Sequence, residues 1–148
     1  MGLRTGEVLP RPGTLSVYTD GAARGNPGPA AIGYAIYDSA ERIVDKDSKA
    51  IGVRTNNQAE YEAFIWALER VAKMGAREVI FYSDSELLVK QVNGKYKIRD
   101  LRLKDLHVLA QGYINTFDKF EIAHVSRQNE RTSRVDEMIN KELDEFER

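Results

Sequence analysis

Thr55-Asn56-Asn57-Gln58-Ala59-Glu60-Tyr61-Glu62-Ala63-Phe64 opens the stretch on which the fold turns. Its first four residues match the Ser/Thr-x-x-Glu/Gln capping box, in which two side chains satisfy each other's backbone N–H groups at a helix start. Phe64, Ala67, Leu68 and Val71 follow at helical spacing, which predicts a long helix to Met74, stopped by Gly75. Glu60 shares the face of Phe64, Ala67 and Val71, the face that should pack on a sheet. The polar side carries Glu62, Glu69, Arg70 and Lys73, so a merely solvated glutamate had better positions available.

Upstream, Leu15, Val17 and Thr19 alternate with Ser16, Tyr18 and Asp20, a strand expected to end at the Asp20-Gly21 turn signal. A loop over residues 22–29 follows, then a strand from Ala31 to Tyr37 and a more polar one from Arg42 to Ile51 whose charges suit a sheet edge. Closeness in sequence favours antiparallel pairing of these three. Downstream, Glu78 to Ser83 reads as a buried strand closed by Asp84, and Ser85 to Val92 as a short helix. Leu101 to Phe117 reads as a helix with Leu103, Leu106, Leu109, Ala110 and Tyr113 inside, Lys119 to Val125 as a last strand, and Ser133 to Phe146 as a last helix. This is an α/β domain with a mixed sheet, parallel where helices intervene. Residues 1–13, with two prolines, three glycines and no periodicity, read as a flexible N-terminal arm, leaving residues 14–148 as a single domain.

The chain's 148 residues, 42% hydrophobic and 30% charged, suit one core. With 22 basic and 23 acidic side chains, bulk charge cannot draw it to a polyanion, so local patches must. The absence of cysteine excludes a disulfide framework, a thiolate metal site and a cysteine nucleophile. No signal pattern or apolar span is evident, and the expectation is a cytoplasmic protein with no membrane association and no obligate protein partner.

Asp20 and Asp84 end matching strands, Val-Tyr-Thr-Asp-Gly and Phe-Tyr-Ser-Asp-Ser, so parallel neighbours would bring both carboxylates to one sheet edge, where ligands bind in open α/β folds. Asp136 repeats the Glu60 anomaly, with Ile139, Leu143 and Phe146 following on its face. A carboxylate at a core margin needs a positive partner, and a lysine or arginine can supply one. Four converging acids raise one another's pKa, and a divalent cation resolves this directly. All-oxygen ligands suit the hard ions Mg²⁺ or Mn²⁺.

These residues resemble type 1 ribonuclease H, through Tyr18-Thr-Asp20-Gly21, Gly25-Asn-Pro-Gly28, Thr55-Asn-Asn-Gln-Ala-Glu60, Tyr82-Ser-Asp84-Ser and Asp136. The resemblance covers about Thr14 to the C-terminus and implies the ribonuclease H-like fold, a five-stranded mixed sheet of order 3-2-1-4-5 with helices on both faces. It implies an endoribonuclease hydrolysing the RNA strand of RNA/DNA hybrids with two Mg²⁺ or Mn²⁺ ions, leaving 5′-phosphate and 3′-hydroxyl ends. Asp20 would bridge both ions, Asp136 complete the nucleophile-side ion, and Glu60 and Asp84 hold the leaving-group ion. Gly21, Asn26, Thr55, Asn56, Asn57 and Glu86 are the implied substrate-binding positions, the three asparagines facing the minor groove and Thr55 a phosphate at a helix N-terminus, although Asn26 also suits a Pro-Gly turn and the Asn pair a helix cap. Arg127 joins them as a substrate-binding candidate from the chain's own sequence. Glu86 stands where many relatives carry glutamine.

Two departures accompany the resemblance. The loop from Ser126 to Thr132 lacks the histidine many members carry, leaving Arg127 as a substitute able to neutralise phosphate but not to shuttle a proton. His124, in the preceding strand, reads as structural. In place of the basic protrusion of some members stands only the stretch 95–104, with five bases and one acid. The alternatives are a nuclease of this fold acting on double-stranded RNA or branched DNA, and a non-catalytic hybrid-binding module. A scaffold role would leave Glu60 and Asp136 unexplained.

Overall fold

The computed structural model describes residues 13–147, so the arm expected over residues 1–13 lies outside the described residues except for Gly13. Nine elements follow in order: β1 (Leu15–Ala23), β2 (Gly28–Tyr37), β3 (Ile43–Arg54), α1 (Asn56–Lys73), β4 (Glu78–Ser83), α2 (Glu86–Val92), α3 (Leu101–Ile114), β5 (Lys119–His124) and α4 (Glu130–Phe146). The strands form one sheet in the order β3-β2-β1-β4-β5. The first three pair antiparallel, and β4 pairs parallel with both β1 and β5. Among the described residues no helix is long and apolar enough to cross a membrane.

Alternation along β1 separates two cores. Val17 faces a layer built by α1, α2 and α3, in which Phe64, Phe81, Leu68, Leu88 and Leu106 are buried. Tyr18 faces the opposite layer with Tyr82 and Val135, next to which Ile139 and Leu143 of α4 cover Ala31. Phe64 meets Phe81 edge to face with ring centroids 5.2 Å apart, whereas Tyr18 stacks on Tyr82 at 4.6 Å. Trp66 is half-buried, its ring edge-on to Tyr34 at 4.8 Å and covered by the Lys49 ammonium at 4.4 Å. The helices thus cover both faces, and the charged β3 forms one edge with β5 at the other.

The helix starts obey local chemistry. Thr55 and Gln58 complete the capping box reciprocally, and after Met74 the chain turns out of α1 through Gly75 at φ +77°. Asn129 accepts from the N–H groups of Arg131 and Thr132, which starts α4 at Glu130 rather than at the expected Ser133. Two other expectations need correction. Asp20-Gly21 is no turn: β1 continues to Ala23 and β2 begins at Gly28, because Asp20, Gly21, Ala22 and Ala23 pair with Gly33, Ile32, Ala31 and Ala30. Ladder pairing overrides the local turn preference, and the reversal moves to residues 24–27, closed by the Arg24 N–H donating to the Pro29 carbonyl at 2.8 Å. In α3, which ends at Ile114, Leu103, Leu106 and Ala110 are buried, but Leu109 is 51% exposed because α1 covers only one side of that helix.

Two glycines set distances between layers. A Cβ on Gly21 would lie 2.3 Å from the Ala59 carbonyl oxygen, so only glycine lets β1 pass this close to the first turn of α1. A Cβ on Gly33 would lie 2.9 Å from Ile139 Cγ2, so the missing methyl lets α4 seat directly on β2. Gly21→Ala therefore should lower the unfolding free energy by about 3 kcal/mol, because backbone cannot rotate away as a side chain can. Gly112→Ala, whose Cβ meets nothing within 4 Å in α3, should raise it by about 1 kcal/mol. Urea denaturation of the two variants beside the parent chain checks both signs.

Candidate active site

The parallel register of β1 and β4 pairs Tyr18 with Tyr82, so two residues further on Asp20 and Asp84 reach the same edge of the sheet. Asp20 remains within the ladder and is 5% exposed, while Asp84 lies one residue past β4 with a side chain 11% exposed. Glu60 enters from the second turn of α1, 7% exposed, and its Oε1 accepts from the Gly21 N–H at 2.7 Å. Each of the three carboxylates offers an oxygen within 4.8 Å of the others.

Asp136 approaches from α4, near enough to Asp20 to raise its pKa, but stands outside the group formed by Asp20, Glu60 and Asp84. Thr132, Val135, Ile139 and Leu143 form the inner face of α4, whereas Asp136 is exposed and Phe146, expected on the same face, is 55% exposed. Asp136 sits one residue, about 100°, around the helix from Val135, which places it at the border of the packed stripe rather than in it.

Burial pushes the Asp20 carboxyl up to about 10, with the charges of Glu60 and Asp84 and the hydrogen bond with Asp136 acting in the same direction. Burial raises Glu60 to about 8 and Asp84 adds to the rise, while the Gly21 N–H, the hydrogen bond with Asp20 and the Arg127 charge oppose it. Asp84 is also raised by burial, against Arg127, whose Nε lies 3.9 Å from Asp84 Oδ2. Arg127 itself is almost fully exposed, so it offsets only part of this negative charge. The donor set is oxygen throughout, anionic and rigidly held, which fits a hard divalent cation.

The other positions named from sequence fall into three places. Asn26, Thr55, Asn56 and Asn57 lie where the β1–β2 hairpin end meets the start of α1. There Asn26 Oδ1 accepts from the Asn56 N–H at 3.0 Å and Asn56 Oδ1 from the Ala23 N–H at 3.2 Å. Thr55 Oγ1 is engaged as the helix cap. Gly21 is buried, its N–H committed to Glu60. Glu86 is exposed at the start of α2 and pairs with Lys90 at 3.3 Å. His124 Nε2 lies 3.2 Å from the Asp84 carbonyl oxygen, a contact that ties β5 to the residue after β4. The stretch 95–104 is largely exposed, including all five of its basic side chains.

Sequence reasoning passed over Arg24 and Asn140, both in contact with the region around Asp136. Asn140 Nδ2 donates to Asp136 Oδ2 at 3.2 Å, and Arg24 Nη2 donates to Asn140 Oδ1 at 3.2 Å. The available signal was the four-residue spacing of Asp136 and Asn140, which makes them neighbours on one helix.

Comparison with known proteins agrees with this geometry. Residues 18–135 match the family described as reverse transcriptase-like. Ribonuclease HI of Halobacterium salinarum is 40% identical over 135 residues, spanning 91% of this chain and 67% of that protein. A bifunctional protein of Mycobacterium tuberculosis is 36% identical over 129 residues, 86% of this chain, and the chain spans about a third of it, 35%. The RNase H1 structure from Halobacterium salinarum superposes with a TM-score of 0.85 at 39% identity, covering 89% of this chain and 98% of that one. LC11-RNase H1 in complex with an RNA/DNA hybrid gives 0.84 at 37% identity, covering 90% and 99%. With the strand order, the acidic cluster and these relatives in agreement, the chain belongs to the type 1 ribonuclease H family.

Proposed function

We propose that this chain hydrolyses the RNA strand of RNA/DNA hybrids, leaving 5′-phosphate and 3′-hydroxyl ends, with Asp20, Glu60, Asp84 and Asp136 holding a pair of Mg²⁺ or Mn²⁺ ions. The observation that carries the reading is the buried meeting of Asp20, Glu60 and Asp84, three acids whose ionised forms are disfavoured until positive charge joins them. When bound, such ions activate water as the nucleophile and stabilise the departing 3′ oxygen. The protein supplies the fixed frame. The Gly21 N–H orients the Glu60 carboxylate, the ladder fixes Asp20, and α4 brings Asp136 to the exposed side where a phosphate can approach.

Substrate recognition follows from the linked amides of Asn26 and Asn56, with Asn57 beside them. All three are exposed at the N-terminal end of α1, where amide groups and helix polarity favour a sugar-phosphate chain. An A-like duplex presents its 2′-hydroxyls in a wide, shallow minor groove, which small polar side chains can read. Arg127 stands over the acids and meets phosphate charge. The LC11-RNase H1 complex with a hybrid supports this substrate.

The decisive assay incubates uniformly labelled RNA/DNA hybrid, double-stranded RNA and DNA with the chain, with and without Mg²⁺ or Mn²⁺. Metal-dependent cutting of the RNA in the hybrid is the expected result; absence of cleavage with either metal refutes the reading. Asp84→Asn should abolish cleavage, to below about one-thousandth of the parent rate, while hybrid affinity measured by fluorescence anisotropy stays the same or tightens, since a charge facing phosphate is removed.

A stability effect follows from the same charges. The Asp20 carboxyl is raised in the fold, so the metal-free fold is most stable where that group is protonated. It loses stability as pH climbs from the ordinary carboxylate range near 4 toward about 10. Asp20→Asn removes the penalty. In buffer containing EDTA it should unfold about 5 °C above the parent chain at pH 8, with the gap closing toward pH 4. Thermal melts across that pH range check the sign.

A further inference from the structure

Arg24 is the charged residue of a hairpin end otherwise made of small and turn-forming residues, Ala22-Ala23-Arg24-Gly25-Asn26-Pro27-Gly28. Its side chain crosses to the far end of α4. Nη2 lies 2.7 Å from Asp144 Oδ1, 3.2 Å from Asn140 Oδ1 and 3.4 Å from the Asn140 carbonyl oxygen, and Nη1 lies 3.0 Å from Glu147 Oε2. Asn140 in turn donates through Nδ2 to Asp136, to its Oδ2 at 3.2 Å and its carbonyl at 3.0 Å.

The direction of this chain of contacts is fixed by chemistry. A guanidinium has only donors and an ionised carboxylate only acceptors, so the amide between them has one satisfactory orientation, oxygen toward Arg24 and nitrogen toward Asp136. Turning the amide over would set donor against donor at one end and acceptor against acceptor at the other. Asp144 and Glu147 pair with Arg24 independently of Asn140 and favour the guanidinium position that the amide meets.

We propose that Asn140 is a positioning residue for Asp136, and that Arg24 sets the orientation in which it acts. The proposal rests on the reading of Asp136 as a cation ligand and deepens it. The Asn140 amide engages the carboxylate through Oδ2 and so restricts the rotamer in which Asp136 would meet a cation. Arg24 also lies two residues before Asn26, so the same contact fastens the hairpin end that meets the substrate to the helix that carries Asp136. Ligand carboxylates elsewhere depend on such outer hydrogen bonds, whose loss typically costs about 10- to 100-fold in metal affinity or activity.

The test measures Mn²⁺ binding to the whole chain without nucleic acid, by calorimetry, beside steady-state cleavage of hybrid. Asn140→Ala and Asn140→Asp should each weaken Mn²⁺ binding about tenfold and lower kcat comparably, with KM for the hybrid changed by less than about twofold. The aspartate keeps a partner for Arg24 but lacks the donor, so it separates the donor's role from packing. Arg24→Ala should weaken Mn²⁺ binding about threefold in the parent chain and add nothing in the Asn140→Ala background, and Arg24→Lys should recover part of the loss. Arg134→Ala, which removes an exposed ion pair with Glu130 on the same helix, should change none of these values. Circular dichroism and thermal melts show that each chain is folded at the assay temperature. Should Arg24→Ala fail to fold, the two Asn140 variants carry the test. In addition, the Asn140 side-chain amide of the parent chain should show ¹⁵N relaxation as restricted as backbone. Asn140 variants that bind Mn²⁺ and turn over like the parent, or a freely rotating Asn140 amide, overturn the inference while the functional reading stands. A parent chain that neither binds Mn²⁺ nor cleaves hybrid overturns both.

Discussion

Like charges confined where water is scarce form the constraint around which this molecule is arranged. Asp20, Glu60 and Asp84 come from a strand, a helix and a strand end that are far apart in sequence, and each is carried there by burial of its neighbours. The stacked Tyr18 and Tyr82 rings lie two residues before the two aspartates and lock the shared register of β1 and β4. Phe64 and Val71, packed beneath, fix the depth at which α1 presents Glu60. The apolar layers supply the stability that repulsion among the acids consumes, and the Gly21 N–H is one of the few contacts that favours the charged state directly.

Part of the remaining charge is paired within the protein. The acidic end of α4, which on composition alone would repel nucleic acid, is engaged by the hairpin: Arg24 pairs with Asp144 and Glu147, and Glu142 accepts from the Ser48 hydroxyl. Elsewhere on β3, Asp45 accepts from Arg70 at 2.6 Å and Tyr34 at 3.1 Å, and Arg54 pairs with Glu62 at 2.7 Å. The basic side chains of residues 95–104 form an exposed concentration of positive charge on a chain whose net charge is −1. A polyanion therefore meets local fields rather than an overall attraction.

Much of this was legible in the sequence because the decisive signals are local or periodic. The capping box at Thr55, the apolar stripe through Phe64 and Val71, and the misplaced Glu60 are all properties of a single helix, and β4 reads directly from its apolar run. The features that were not legible depend on partners distant in the chain. Asp20-Gly21 carries a turn signal that only the presence of β2 alongside can cancel. Asp136 occupies the border of a helical stripe, and a border is decided by what packs nearby: Gly33 and Ala31 draw Val135 and Ile139 inward and leave Asp136 outside. Leu109 carries an apolar side chain that α1 does not reach. Arg24 and Asn140 are joined across 116 residues by two polar contacts, a relation to which no periodicity corresponds.

Gly33 stands opposite Asp20 in the β1–β2 ladder, and it is also the residue whose missing side chain lets Ile139 of α4 rest on the sheet. The gap between Asp20 and Asp136 is thereby tied to the thickness of one sheet-to-helix joint. A side chain at position 33 would act as a shim, lifting the helix and parting these two acids while leaving the trio around Glu60 undisturbed. Tolerance at this joint sets how far apart the two halves of the acidic cluster stand, although the residue that governs it carries no functional group at all.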